Sequence, residues 1–443
     1  MITLYPHQRD ALNDTEDNNK VAYYLDMGLG KTFVGAEKMI QLGARVNLVI
    51  CQKSKIDDWV EHFKTYYDID ALYDLTNKKA FEEFIQTAEV YDYLTVVGVI
   101  NYELAFRRPA LAKLEDFTLM LDESSLIQNE NSKRSKFILK KLNPKNVILL
   151  SGTPTGGKYE KLWSQLSLLG WNISKKLFYS QYVDFHYDDN EGFPIMIIDG
   201  YKNVERLKKK MRDHGCIFMK TEDVIDLPEQ IHNTIKVQTT KEYRKFRKER
   251  IITVGGKYVE DCGQSFHGDT KLVGGVELVG DTTLTKMLYE RQLCGQYNKD
   301  KLKAFEDLLE STNDRLIVFY NFTAELDAMK HVCDTLGRVY GQVNGSIKDL
   351  YAYEEKDDSV TFVQYQAGAM GLNLQKANKI VYFTPPLSSE LFEQSKKRIH
   401  RVGQQKTCFY YYLTCKGSIE EKIYRTLAMR KDYTDALFES EEN

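Results

Sequence analysis

A chain of 443 residues outgrows a single hydrophobic core, which stops growing at roughly 250–300 residues, so at least two domains are predicted. With 42% hydrophobic and 28% charged residues and only 8 prolines, the composition excludes a disordered or collagen-like chain. The 61 Lys and Arg against 64 Asp and Glu leave a formal charge of −3, which excludes coating of nucleic acid by bulk charge and confines any such contact to a local patch.

Short β-branched runs open the chain and alternate with longer amphipathic stretches: Val46–Cys51, Leu94–Val99, Phe117–Leu121 and Val147–Leu150 read as strands. That rhythm predicts a helix-covered parallel sheet over residues 1–230. Residues 231–295 change character. A basic helical segment, Lys241–Arg250, precedes a glycine-rich stretch without a clear period, and this part reads as a connector with an insertion. From 296 to 443 the rhythm returns, with helix Lys299–Leu309, strands Leu316–Tyr320, Val360–Tyr365 and Lys379–Phe383, and helix Leu391–His400. A capping serine opens a closing helix, Ser418–Phe438. The expected fold class is α/β, in two lobes.

The seven cysteines (51, 216, 262, 294, 333, 408 and 415) include no C-x-x-C pair and read as reduced, mostly buried thiols. Met1–Pro6 starts neither a basic nor an apolar leader, and no run of about 18 apolar residues occurs, so the expectation is a cytoplasmic protein, in a bacterium or an infected host cell, with no membrane partner.

The sharpest local signal is Leu25-Asp26-Met27-Gly28-Leu29-Gly30-Lys31-Thr32, between apolar Val21–Tyr24 and helical Phe33–Leu42. Strand, glycine turn and helix stand in the order a phosphate-binding loop needs. Gly28 and Gly30 can take positive φ and let backbone N–H groups close on phosphate oxygens; Lys31 would reach the β- and γ-phosphates of ATP, and Thr32 would ligate Mg²⁺. The pattern departs from G-x-x-x-x-G-K-[ST] at its first position, Leu25.

Phe117–Leu121 runs into Asp122-Glu123-Ser124-Ser125. Asp122 suits a carboxylate that holds Mg²⁺ through water, and Glu123 one that orients or deprotonates the attacking water. Farther on, Arg398 and Arg401 lie three apart, on one face of the predicted helix, where a guanidinium pair answers charge leaving a γ-phosphate. A glycine turn, a solvated strand end or a basic helix face would account for each string alone.

Together and in this order, the strings resemble superfamily 2 nucleic-acid motors of the SWI/SNF type. Leu4-Tyr5-Pro6-His7-Gln8 resembles the element whose Gln grips the adenine edge, and Asn47–Ser54 with Trp59, followed by Val99–Glu103, resembles the next motifs, the first of which meets a nucleic-acid backbone. Leu150-Ser151-Gly152-Thr153-Pro154 is similar to the motif that couples nucleotide state to the DNA track, and Lys220–Pro228 to the segment ending the first lobe. Val318–Asn321 and Tyr365–Leu374 resemble the first motif and the glycine-rich loop of the second lobe, and His400-Arg401-Val402-Gly403-Gln404 is the most specific match. The resemblance covers nearly all of residues 1–430.

It implies two tandem RecA-like lobes with parallel sheets and a nucleotide cleft between them. Lys31, Asp122, Glu123, Arg398 and Arg401 would be catalytic. Gln8, Gly28, Gly30, Lys31, Thr32, Gly371 and Gln394 would bind ATP, with Mg²⁺ on Thr32 and Asp122. Lys53, Ser54, Asn101, Tyr102 and Asn321 would follow DNA, extended by basic clusters at Lys208–Arg212 and Lys241–Arg250. Ser124-Ser125 replaces the usual Ala-His, and Thr384–Ser388 replaces an Asp- and Trp-containing turn. The compact form is similar to helicases of bacteriophages and mobile elements. The implied activity is an ATP-driven motor on duplex or single-stranded DNA, in phage or bacterial replication or recombination, with proteins of those processes as partners. Strand separation and duplex translocation stay open, as does the oligomeric state, a monomer being the expectation. A degenerate scaffold that binds DNA without turnover is the alternative, and the intact Lys31, Thr32, Asp122, Glu123 and arginine pair argue against it.

Overall fold

The computed structural model describes residues 3–188, 195–255, 257–260, 270–273, 275–368 and 372–438. Two units form around separate sheets, one from residues 1–226 with 430–443 and the other from residues 227–429.

In the first unit the apolar runs become β1 (Lys20–Leu25), β2 (Val46–Cys51), β3 (Ala71–Asp74), β4 (Val96–Asn101), β5 (Thr118–Asp122) and β6 (Asn146–Leu150). An antiparallel ribbon of β7 (Val183–Asp188) and β8 (Ile195–Tyr201) precedes β9 (Cys216–Met219). The sheet order is β3-β4-β2-β5-β6-β1-β9, with every neighbouring pair parallel. Strands covered on both faces are apolar at nearly every position, and β2 and β4 are buried throughout, each with a single asparagine, Asn47 and Asn101. Leu48 and Ile50 enter the core on one face; Val49 and Cys51 enter the core on the other with Trp59 and Phe63. Helices start where small polar residues cap them: Asn77, Ser132 and Ser174 accept first-turn N–H groups of Lys78–Val90, Lys133–Lys140 and Lys175–Tyr182.

The second unit holds β10 (Gln230–Val237), the short antiparallel ladders β11 (Ile251–Val254) with β14 (Val276–Val279) and β12 (Lys257–Glu260) with β13 (Thr270–Val273), then β15 (Leu316–Tyr320), β16 (Tyr340–Val343), β17 (Val360–Gln364), β18 (Lys379–Tyr382) and β19 (Cys408–Cys415). Its main sheet runs β10-β19-β18-β15-β17-β16, again all parallel. Two differences from the sequence reading matter. Residues 231–295, read as a connector, group with the second unit, whose sheet β10 joins along its whole length beside β19. The helix expected over Leu391–His400 spans Ser389–Lys396. Past Lys396 the i→i−4 pattern breaks, the Arg398 N–H donating to Ser395 O at 3.2 Å, and the Arg398 carbonyl accepts from the Leu374 N–H outside the helix.

Ser418 Oγ accepts from Glu420 N at 3.1 Å at the start of the closing helix, Ile419–Phe438. Six cysteines are buried and free; Cys262 lies outside the described residues. Among the described residues no helix is long and apolar enough to cross a membrane.

Candidate functional site

Because β5, β6 and β1 are neighbours, the loops after Asp122, Leu150 and Leu25 meet at the carboxyl end of the first sheet, where open parallel sheets place ligands. Gly28 and Gly30 take φ of +90° and +74°, a region costly for any side chain with a Cβ. Gly30 is also the N-cap of Lys31–Gln41, and no side chain caps that helix. Phe33 N and Val34 N donate to Gly30 O at 2.9 and 3.2 Å, so the loop turns straight into a helix start without a side-chain cap, the kind of helix start that anions favour.

Lys31 Nζ donates to the carbonyls of Leu25 at 2.9 Å and Asp26 at 3.2 Å, curling over the loop. A Cβ placed on Gly152 would stand 3.3 Å from that Nζ, so the Ser151–Pro154 turn faces the same space. Gln8 is buried against the loop. Its Nε2 donates to Leu29 O at 3.1 Å and its Oε1 accepts from Tyr5 N at 2.9 Å, so both amide atoms of the expected adenine reader are engaged by backbone.

Asp122 ends β5 half-buried. Trp59 Nε1 donates to its Oδ2 at 2.9 Å. Desolvation pushes the Asp122 carboxyl up, while the Trp59 bond and the charges of Lys31 and Lys55 pull it back. Glu123 follows at φ +54° and ψ +60°, left-handed geometry that costs a residue with a Cβ about 1–2 kcal/mol. Ser151 Oγ donates to Glu123 Oε2 at 3.3 Å, tying the turn after β6 to this carboxylate. Thr32, in the first turn of the loop helix, and Asp122, at the end of β5, carry oxygen donors of the hard kind that Mg²⁺ takes.

Tyr102 corrects its expected place on the nucleic-acid face. Its ring is fully buried and its hydroxyl donates to Asp122 O at 2.9 Å, so it fastens the end of β5. Asn101 is also buried, its amide donating to Glu103 Oε2 at 3.2 Å. Lys53 and Ser54 are exposed in the turn after β2. Of the basic cluster Lys208–Arg212, Lys208 is buried and paired with Glu205 at 2.9 Å, and Lys210 pairs with Asp213 at 3.5 Å.

Gln165 was invisible to the sequence reading. From within the helix Trp163–Leu168 its Oε1 accepts from Ser124 Oγ at 2.8 Å and Tyr24 Oη at 3.1 Å, and its Nε2 donates to Pro154 O at 2.8 Å. The serine that replaces the usual Ala is therefore wired to the Ser151–Pro154 turn.

In the second unit Asn321 Nδ2 donates to Thr384 Oγ1 at 2.9 Å, Pro385 O at 3.1 Å and Thr384 O at 3.2 Å. Arg398 and Arg401 stand in turns beyond Lys396, correcting their expected helical face; Arg398 is buried and Arg401 half-buried. Gln404 organises those turns by donating to the carbonyls of Ala377 at 2.9 Å, Gln375 at 3.1 Å and Ile399 at 3.2 Å. Gln394 is buried in Ser389–Lys396, its Nε2 3.4 Å from Glu390 Oε1. Gly371 lies outside the described residues.

Residues 23–298 match the SNF2-related domain, and residues 300–403 match the helicase conserved C-terminal domain. The chain is 25% identical over 451 residues to the ISWI chromatin-remodeling complex ATPase ISW1 of Saccharomyces cerevisiae, covering 95% of this chain and 39% of that protein. It is 23% identical over 470 residues to the putative ATP-dependent helicase/translocase YwqA of Bacillus subtilis, covering 99% of this chain and 49% of that protein. Among solved structures it is similar to the Sulfolobus solfataricus SWI2/SNF2 ATPase core in complex with dsDNA, with 17% identity and a TM-score of 0.45 over 98% of this chain and 92% of that one. The chain thus spans less than half the length of these two curated relatives.

Proposed function

Because the chain belongs to the SNF2-related family, with a helicase C-terminal domain after it, we propose that it is an ATP-hydrolysing motor that moves on DNA. The observation that carries this reading is the convergence of Lys31, Gly152, Asp122 and Glu123 at one end of the first sheet, linked by the Ser151–Glu123 bond. ATP supplies the phosphoanhydride whose cleavage drives the cycle. Gly28, Gly30 and the first-turn N–H groups hold phosphate oxygens; Lys31 exchanges its two carbonyl partners for the β- and γ-phosphates; Thr32 and Asp122 hold Mg²⁺. Glu123 orients the attacking water and takes its proton. Arg398 and Arg401 neutralise charge on the γ-phosphate, and Gln394 and Gly371 support the nucleotide. Lys53 and Ser54 are the exposed residues of the first unit assigned to the DNA backbone, with Asn321 assigned to it in the second.

A setting in bacterial or phage replication or recombination belongs to the same proposal; similarity to a Bacillus subtilis protein named as a putative ATP-dependent helicase/translocase supports the bacterial motor alone. The test is ATP hydrolysis by the purified protein alone, with single-stranded DNA, with duplex DNA and with RNA, with Lys31→Ala as the blank. Stimulation by duplex supports a translocase, and stimulation by single strands a strand-separating helicase. Hydrolysis no greater than the blank under every condition overturns the reading in favour of a DNA-binding scaffold.

A further inference from the structure

The helix Lys241–Glu249 in the second unit has two unlike faces. Tyr243 and Phe246 are buried, Tyr243 Oη accepts from Ile419 N at 2.8 Å, and Thr240 caps the first turn. Elsewhere on the helix, Arg244, Arg247 and Lys248 stand at the i, i+3, i+4 spacing and line a groove of about 480 Å³, joined by Lys416 from the turn after β19. Arg247 donates to Gly417 O at 3.2 Å and so ties the helix to that turn.

Like charges at this spacing repel one another. Two nearby acids are already engaged: Glu249 pairs with Lys245, and Glu421 with Lys236 and the Gly417 N–H. Among the described residues none of the four groove cations has a carboxylate partner. The Lys208–Arg212 cluster differs in this respect, since Lys208 and Lys210 are each matched by an acid. A concave cluster of unmatched cations, held in place by a buried face, fits a ligand whose negative charges repeat along a chain.

We propose that this groove binds a phosphodiester backbone and gives the second unit a nucleic-acid contact distinct from Asn321. The inference rests on the DNA-motor reading. Its test compares the wild-type protein with Arg244→Ala/Lys248→Ala/Lys416→Ala, which leaves the Arg247 tie intact, and with a control that removes equal charge from the first unit, Lys78→Ala/Lys79→Ala/Lys113→Ala. Binding of fluorescein-labelled duplex and single-stranded DNA is followed by anisotropy against salt, with melting curves to verify folding. Should the triple variant not fold, the single reversal Lys416→Glu takes its place.

The groove variant should bind about tenfold more weakly, with a salt slope shallower by about 0.9 for each cation lost on duplex and about 0.7 on single strands. The control should keep the wild-type slope. An unchanged slope in the groove variant, or an equal fall in the control, overturns the groove while DNA-stimulated hydrolysis by the wild-type protein leaves the motor reading standing. Failure of the wild-type protein to bind either DNA overturns both.

Discussion

Trp59 holds Asp122: the indole N–H donates to Oδ2 at 2.9 Å, from a ring that is itself 2% exposed. The helix Ile56–Tyr66 that carries it also presents His62, which meets Phe33 of the phosphate-loop helix edge-on at 4.6 Å. One aromatic wall therefore fixes both the loop helix and the proposed metal carboxylate. Trp59→Phe keeps an aromatic side chain, a smaller one, and removes the donor. Losing a hydrogen bond to a charged group costs about 1.5–3 kcal/mol, and the Asp122 carboxyl should rise further, since the Trp59 bond now lowers it. The Mg²⁺ concentration that half-saturates ATP hydrolysis should increase about tenfold, in line with the effect of removing partners of metal ligands. An unchanged Mg²⁺ requirement would show that Asp122 needs no such support.

Glu123 combines a strained backbone with a proposed chemical role, and two substitutions separate them. Glu123→Gln keeps an acceptor for Ser151 Oγ but cannot take a proton, so ATP should bind normally while single-turnover hydrolysis falls by about 10²–10⁴. Glu123→Gly should lose hydrolysis yet no thermal stability, because glycine occupies φ +54° without the Cβ penalty. Normal turnover in the Gln variant would move the base elsewhere, and a marked drop in melting temperature of the Gly variant would refute the strain argument.

Glu325 makes stability depend on pH. Burial raises its carboxyl from 4.5 to about 7, against the opposing influence of the Lys301 charge and of bonds from Asn321 N, Phe322 N and Thr384 Oγ1. Arg291 is a second cation in electrostatic contact with it, and Gly295 lies against Oε1, where a Cβ would stand only 2.0 Å away. The folded chain holds this proton more tightly than the unfolded chain, so its contribution is fully present below pH 4.5 and is lost as pH rises to about 7. A shift of this size corresponds to about 3 kcal/mol. Glu325→Gln should flatten the urea midpoint over that window relative to wild type; equal slopes in the two proteins would reject the assignment.

The parallel sheets were legible because strands buried on both faces are apolar at nearly every position, as in β15 and in β2 with its single Asn47. The phosphate loop was legible because its chemistry needs Gly, Lys and Thr in fixed order. What escaped depends on contacts between distant parts of the chain. β10 alternates exposed and half-buried residues and is recognisable as a strand only beside β19. The apolar rhythm of Leu391, Phe392 and Ile399 continues past Lys396, but Arg398 N donates to Ser395 O, and Leu374 and Gln404 take the carbonyls of Arg398 and Ile399 into turns. Tyr102 read as a residue of the DNA track and Gln165 as an ordinary one; their roles come from Asp122, Ser124 and Pro154, which the folded first unit brings to them.

Gly157 marks where the C-terminal segment docks on the first unit, just past the Ser151–Pro154 turn. Its φ is +74°, and a Cβ there would lie 2.2 Å from Arg430 O and 2.6 Å from Arg430 Cα, both backbone atoms that cannot swing aside. Tyr159 Oη donates to Tyr433 O at 2.6 Å, and the ring of Tyr201 stacks on Tyr159 at 4.4 Å while meeting Tyr433 edge-on at 4.8 Å. Gly157→Ala must therefore adopt a left-handed backbone and push the segment away together, at a cost of about 2–4 kcal/mol. Tyr159→Phe loses only one hydrogen bond, about 1 kcal/mol, and keeps the stacking. Limited proteolysis should cut near residue 430 readily in the Gly157 variant and more slowly in the Tyr159 variant, with melting temperatures in the same order. If Gly157→Ala resists protease as the wild type does, the segment is not held through this contact.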